Sequence, residues 1–99
     1  MAVFIHNTLP EGIGPSQYDA INDAMGLDDR APEGLIAHTA GEHDGRFHIH
    51  DIWESGEHYD RFVQERLIPA QVEVFGQEMV DNAPPSESER FELHNYVVP

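Results

Sequence analysis

Phe47-His48-Ile49-His50-Asp51-Ile52-Trp53-Glu54-Ser55 is the stretch that decides how this chain folds. Residues Arg46 to Trp53 alternate and are rich in β-formers, which predicts a strand. Ser55 then caps a helix, with Glu57 in the first turn, where the macrodipole favours an acid. A strand therefore runs directly into a helix. Two histidines, an aspartate and the only tryptophan of the chain lie along that strand.

Working outward, Gly41-Glu42-His43-Asp44-Gly45 predicts a hairpin turn with glycine at both ends. Leu35 to Ala40 is the strand before it, and Asp28 to Gly34 is a connecting loop. Val3 to Asn7 alternates and forms a first strand. Pro10-Glu11-Gly12-Ile13-Gly14-Pro15 is a loop of strong breakers. A helix starts near Pro15, a residue suited to the first helical turn. Tyr18, Ile21 and Met25 make one apolar stripe on it, and Gly26 is its stop. Downstream, Tyr59, Phe62, Val63 and the stem of Arg66 form the buried face of the helix after Ser55. Pro69 interrupts, and a short second helix follows with Val72, Phe75 and Met79 in phase. Asp81 to Arg90, around Pro84-Pro85-Ser86, reads as an exposed polar loop. Phe91 to Val98 reads as the last strand.

The order is β-α-β-β-α-β, the ferredoxin-like α+β arrangement. It predicts one domain over residues 1–99, with a four-stranded antiparallel sheet and helices on one face. The chain has nothing left to cover the other face, so a second subunit is the expected cover, making a homodimer.

Composition bounds the function. A chain of 99 residues makes one domain, and one that buries only about two-thirds of its unfolded surface. It has no cysteine, so neither disulfides nor thiolate metal sites enter. Nineteen acidic residues against five arginines give a net charge of −14. That charge opposes binding to DNA, RNA or an anionic membrane. No apolar run approaches the roughly 18 residues that span a bilayer, and the N-terminus lacks a basic signal-peptide region. The expectation is a cytoplasmic protein.

Asp51-Ile52-Trp53-Glu54-Ser55, the helix Glu57-His58-Tyr59-Asp60-Arg61-Phe62 and the element order resemble the dimeric α+β barrel superfamily. Within it, the chain resembles the antibiotic-biosynthesis-monooxygenase-like group. The resemblance runs from Val3 to about Phe75 and again from Phe91 to Val98. It implies oxygenases that act on electron-rich aromatic or quinol substrates without metal or flavin. It also implies heme-degrading enzymes, which use an Asn near the end of the first strand, a Trp in the helix after Trp-Glu-Ser, and a His further on. Asn7 sits where that Asn would be, Phe62 stands at the Trp position, and the His position falls near Val72. The superfamily also holds proteins with other reactions or none.

Two constellations carry chemistry. With the hairpin turn centred near His43, His38 lies opposite His48, and Ile36 opposite His50. His38, His48, His50 and Ile52 then share one face. Leu35, Ala37, Phe47, Ile49, Asp51 and Trp53 share the other, more apolar face, which belongs against the helices. Asn7 falls in phase with Val3 and Ile5 on that same side. Asn7, Asp51, Trp53 and Tyr59 would line a pocket for a small planar aromatic ligand. Asp51 or a nearby histidine, His38 being the candidate base, would take a proton from a phenol or quinol, and the anion would react with oxygen. The alternative is a packed core with Asp51 as a satisfied polar group. The His38, His48 and His50 face offers three imidazoles for a divalent transition metal, with His6 and His94 as further donors. Its alternatives are a water-bridged dimer interface or a pH-sensitive one.

Overall fold

The computed structural model describes residues 1–27 and 29–99. Asp28, where the second predicted loop begins, lies outside the described residues. The elements are β1 (Val3–Thr8), α1 (Pro15–Met25), β2 (Leu35–His43), β3 (Arg46–Trp53), α2 (Gly56–Phe62), α3 (Ile68–Phe75), α4 (Gln77–Asn82) and β4 (Glu87–Glu92), with a π-helical turn at Val63–Leu67. The strands form one antiparallel sheet in the order β2-β3-β1-β4. This is the ferredoxin-like α+β fold, with the helices on one face.

Local chemistry sets the helix ends. Pro15 opens α1, and Gly26 closes it in the left-handed conformation, φ 66°, its N–H reaching back to Asn22 O and Asp23 O. Ser55 Oγ accepts the His58 N–H at 3.2 Å and caps α2. Pro69 does not interrupt the second helical segment. The π-helical turn just before it supplies the slack that a ring without an N–H needs, and the helix runs on to Gly76. There φ is 90°, and α4 sets off afresh. Met79 consequently leaves the phase of Val72 and Phe75 and stands 61 % exposed.

Register places the site. Val3 pairs with Trp53, Ile5 with Asp51 and Asn7 with Ile49, which puts all six residues on the helix side. Trp53 and Ile5 are fully buried there, packed by Leu35, Tyr59 and Phe62. A second cluster, Ile21, Met25 and Ala70, joins α1 to α3, and Phe62 touches both clusters.

Two sequence expectations are corrected. The last strand is Glu87–Glu92, paired with β1, not Phe91 to Val98. All six of its residues are exposed, so no apolar alternation marks it; the free edge of β1 selects it instead. The β2–β3 hairpin closes on a two-residue turn, Asp44 (φ 52°) and Gly45 (φ 77°), between His43 and Arg46. His38 therefore faces Asp51, and Gly41 faces His48. The shift moves His38 from the outer face to the helix face. A bulge at Ile36 then lets Leu35, three residues upstream, point the same way, opposite Trp53.

Candidate functional site

Five elements converge beneath the sheet. β3 presents Asp51 and Trp53, β2 presents His38, β1 presents Asn7, α1 presents Tyr18 and α2 presents Tyr59. Together they border a cavity of about 70 Å³. Asn7, His38, Asp51, Trp53 and Tyr59, the candidates from sequence, thus meet in one place.

Asp51 is 5 % exposed and receives two donors. Trp53 Nε1–H donates to Oδ2 at 3.2 Å, and His38 Nδ1 lies 2.6 Å from Oδ1. Two converging N–H groups suit an acceptor-only carboxylate. With its proton on Nδ1, His38 turns the Nε2 lone pair toward α1, where the Tyr18 hydroxyl donates to it. The result is a hydrogen-bonded chain, Tyr18–His38–Asp51–Trp53. An imidazole oriented by a carboxylate is equipped to accept a proton at Nε2 and to hold the resulting charge.

On the opposite wall, Asn7 Nδ2 donates to the Tyr59 hydroxyl at 3.0 Å. Burial pushes the Tyr59 phenol above its ordinary value. The Asn7 hydrogen bond opposes that, and the Asp51 carboxylate adds to it. Tyr59 is thereby kept a neutral O–H donor. Arg90 of β4 lies 5.3 Å from the Tyr59 ring centre and pairs with Asp60 at 2.9 Å. Trp53 stands edge-on to Tyr59 at 5.7 Å and tilted on Phe62 at 5.1 Å.

Tyr18 was missed as a site residue because it heads an aliphatic stripe at helical spacing. The one signal was its hydroxyl, which needs a partner when half-buried.

His48 and His50 lie on the outer face without His38, so the three-imidazole metal set is not assembled. The neighbour there is His6: its Nε2 is 2.9 Å from His48 Nδ1, and its ring stacks on His50 at 4.4 Å. Thr8 Oγ1 lies 3.3 Å from His48 Nδ1, and His48 Nε2–H donates to His43 O at 3.2 Å. Among the described residues, no set of three or more His, Asp or Glu side chains is disposed to hold a metal ion. His94 falls beyond β4 and takes no place in the sheet. Burial and the neighbouring His6 and His48 lower the His50 pKa.

The positions that the heme enzymes of the resembled group use do not fit a heme here. Phe62 packs on Trp53, Val72 carries no ligating atom, and the cavity is far smaller than a porphyrin.

No protein-family model matches this sequence, and no curated protein resembles it closely enough to count as a relative. Solved structures do resemble it. Rv0793 from Mycobacterium tuberculosis is 17% identical, with 98% of each chain covered and a TM-score of 0.63. SnoaB, a cofactor-independent oxygenase from Streptomyces nogalater, is 14% identical over 97% of this chain and 95% of that one, at 0.60. MhuD, in a structure with two manganese protoporphyrin IX bound per active site, is 19% identical over the full length of both, also at 0.60. At such identities the likeness speaks for fold, and on that ground this chain carries the α+β fold of the antibiotic-biosynthesis-monooxygenase-like proteins.

Proposed function

We propose that the protein is a cofactor-independent monooxygenase acting on a small aromatic, quinol-like substrate. The observation that carries this reading is the His38–Asp51 pair, at 2.6 Å, set in the wall of a cavity beneath the sheet. His38 Nε2 takes the proton of a substrate hydroxyl, and Asp51 stabilises the imidazolium. Tyr59, held by Asn7, donates to a substrate oxygen, and Trp53 forms an aromatic wall. The electron-rich anion reacts with O2. One oxygen atom enters as a new ring carbonyl and the other leaves as water, so that a phenol plus O2 yields a quinone plus water. Both reducing electrons come from the substrate.

The test is oxygen uptake with a panel of quinols and polyphenols. Turnover by the protein and its loss in Asp51→Asn and His38→Ala is the expected result. If no compound is consumed, and Asp51→Asn changes only stability, the oxygenase reading is wrong.

A non-catalytic ligand-binding or dimerisation module is the second reading. It is favoured by the size of the cavity, about 70 Å³, whereas small-molecule sites run to roughly 300–1,000 Å³. Under either reading we propose a cytoplasmic homodimer joined through the outer sheet face. That face leaves Phe91 52 % exposed beside Phe4, at a ring separation of 5.1 Å. Native mass spectrometry of the untagged protein checks it: a monomer would remove the homodimer.

A further inference from the structure

Taking His38 as the base, as in the reading above, leaves two observations in tension. The cavity of about 70 Å³ beside it is small for an aromatic ring. The base nitrogen, Nε2, is already engaged by the Tyr18 hydroxyl. Both have one cause. Tyr18 is itself a phenol, and it holds the position a phenolic ligand requires. Its ring lies nearly parallel to His38, at 8°, and rests on Phe47 at 5.0 Å.

We infer that Tyr18 is a built-in occupant of the ligand site, and that a hydroxyl-bearing aromatic ligand enters by displacing its phenol from His38 Nε2. The other walls cannot make room as readily. Trp53 is 1 % exposed and Asp51 5 %, and both are fixed on β3, one of the two central strands. Tyr18 lines the cavity from α1 and is only half-buried. Its outward rotation frees the volume of one phenol. The exchange also sets specificity. A ligand with a hydroxyl restores the hydrogen bond to Nε2, whereas a ring without one leaves that nitrogen unmet in a half-buried setting.

The experiment is a binding titration under anaerobic conditions, read by fluorescence of Trp53, the only tryptophan. The probes are 4-nitrophenol and nitrobenzene, which differ by one hydroxyl. Tyr18→Phe keeps the ring and removes the internal competitor for Nε2. It is expected to bind 4-nitrophenol about tenfold more tightly than the wild type, the equivalent of about 1.4 kcal/mol. Nitrobenzene should gain nothing, and His38→Ala in the Tyr18→Phe background should erase the preference. Tyr18→Leu, which also lacks the hydroxyl, serves if Tyr18→Phe does not fold. Unchanged or weaker 4-nitrophenol binding, an equal gain for nitrobenzene, or no binding by any of the proteins overturns the inference. Because the titration needs no oxygen, the two proposals fail separately. Binding with this pattern and no oxygen uptake sinks the oxygenase alone, whereas uptake without this pattern sinks the role of Tyr18 alone.

Discussion

His38 and Asp51 stand directly opposite each other on β2 and β3, the imidazole Nδ1 2.6 Å from the carboxyl Oδ1. The pairing fixes which ring nitrogen carries the proton. Asp51→Asn should reverse that tautomer, because an amide N–H turned toward Nδ1 demands a lone pair there. Nε2 would then carry the hydrogen and could no longer act as a base. The expected loss of oxygenase activity is about 10²–10⁴-fold. The expected loss of stability is about 1–3 kcal/mol, as hydrogen bonds to a buried carboxylate give way to weaker neutral ones. Oxygen uptake and urea unfolding measure the two, and full activity in the variant would remove Asp51 from the mechanism.

Trp53 anchors the same face. It is 1 % exposed and packs on Tyr59 and Phe62 while donating to Asp51. Trp53→Ala should cost about 3–5 kcal/mol, a large part of the roughly 5–15 kcal/mol that holds a small domain together. Trp53→Phe keeps a ring in place and should cost clearly less. Thermal unfolding followed by circular dichroism ranks them, and equal midpoints for the two variants would contradict this account.

The outer face predicts a pH dependence. Burial and the nearby His6 and His48 lower the pKa of His50 from its ordinary 6.5 in the folded protein, against a smaller pull upward from Asp51. The unfolded chain then binds protons more readily at this position. Stability from this site is complete above pH 6.5 and falls as the pH drops through that value toward the lowered folded one. Unfolding midpoints between about pH 8 and about pH 5 should show the decline. His50→Phe, which keeps a ring against His6 and Phe4, should flatten it. A wild-type profile with no fall in that window would contradict the prediction.

Gly34 has φ +88°, and a Cβ added there would sit 2.5 Å from the His58 ring. His58 in turn is held by Ser55 Oγ, 2.7 Å from its Nδ1. Gly34→Ala therefore meets two separate penalties. The left-handed backbone alone costs an L residue about 1–2 kcal/mol, and the ring contact adds to it. Adding His58→Ala should recover the contact penalty and leave the backbone one. A double-mutant cycle reads the split, and full recovery would mean that the backbone strain is absent.

The strand-to-helix junction was legible because its signals are local: alternation up to Trp53, a capping Ser55 and an acid at Glu57. The helix-side placement of Asn7, Asp51 and Trp53 followed from the two-residue period of a strand. Three features were not legible. β4 has charged or polar residues at five of its six positions, and only pairing with β1 makes it a strand. Pro69 looked like a break because the π-helical turn before it leaves no mark in the composition. The sequence points His38 to the wrong face because Gly41 and Gly45 both advertise a turn, and only Asp44-Gly45 with positive φ closes it. The role of Tyr18 depends on that same register, since a turn centred near His43 points its partner His38 away.

The hairpin connection has a consequence for how such a site is gained or lost. Surface turns absorb inserted residues more readily than any other part of a fold. A one-residue slip of β2 against β3 at the Asp44-Gly45 turn would turn the His38 imidazole to the opposite side of the sheet. The register set at that turn, at sites that are neither His38 nor Asp51, thus decides whether the imidazole meets the carboxylate at all.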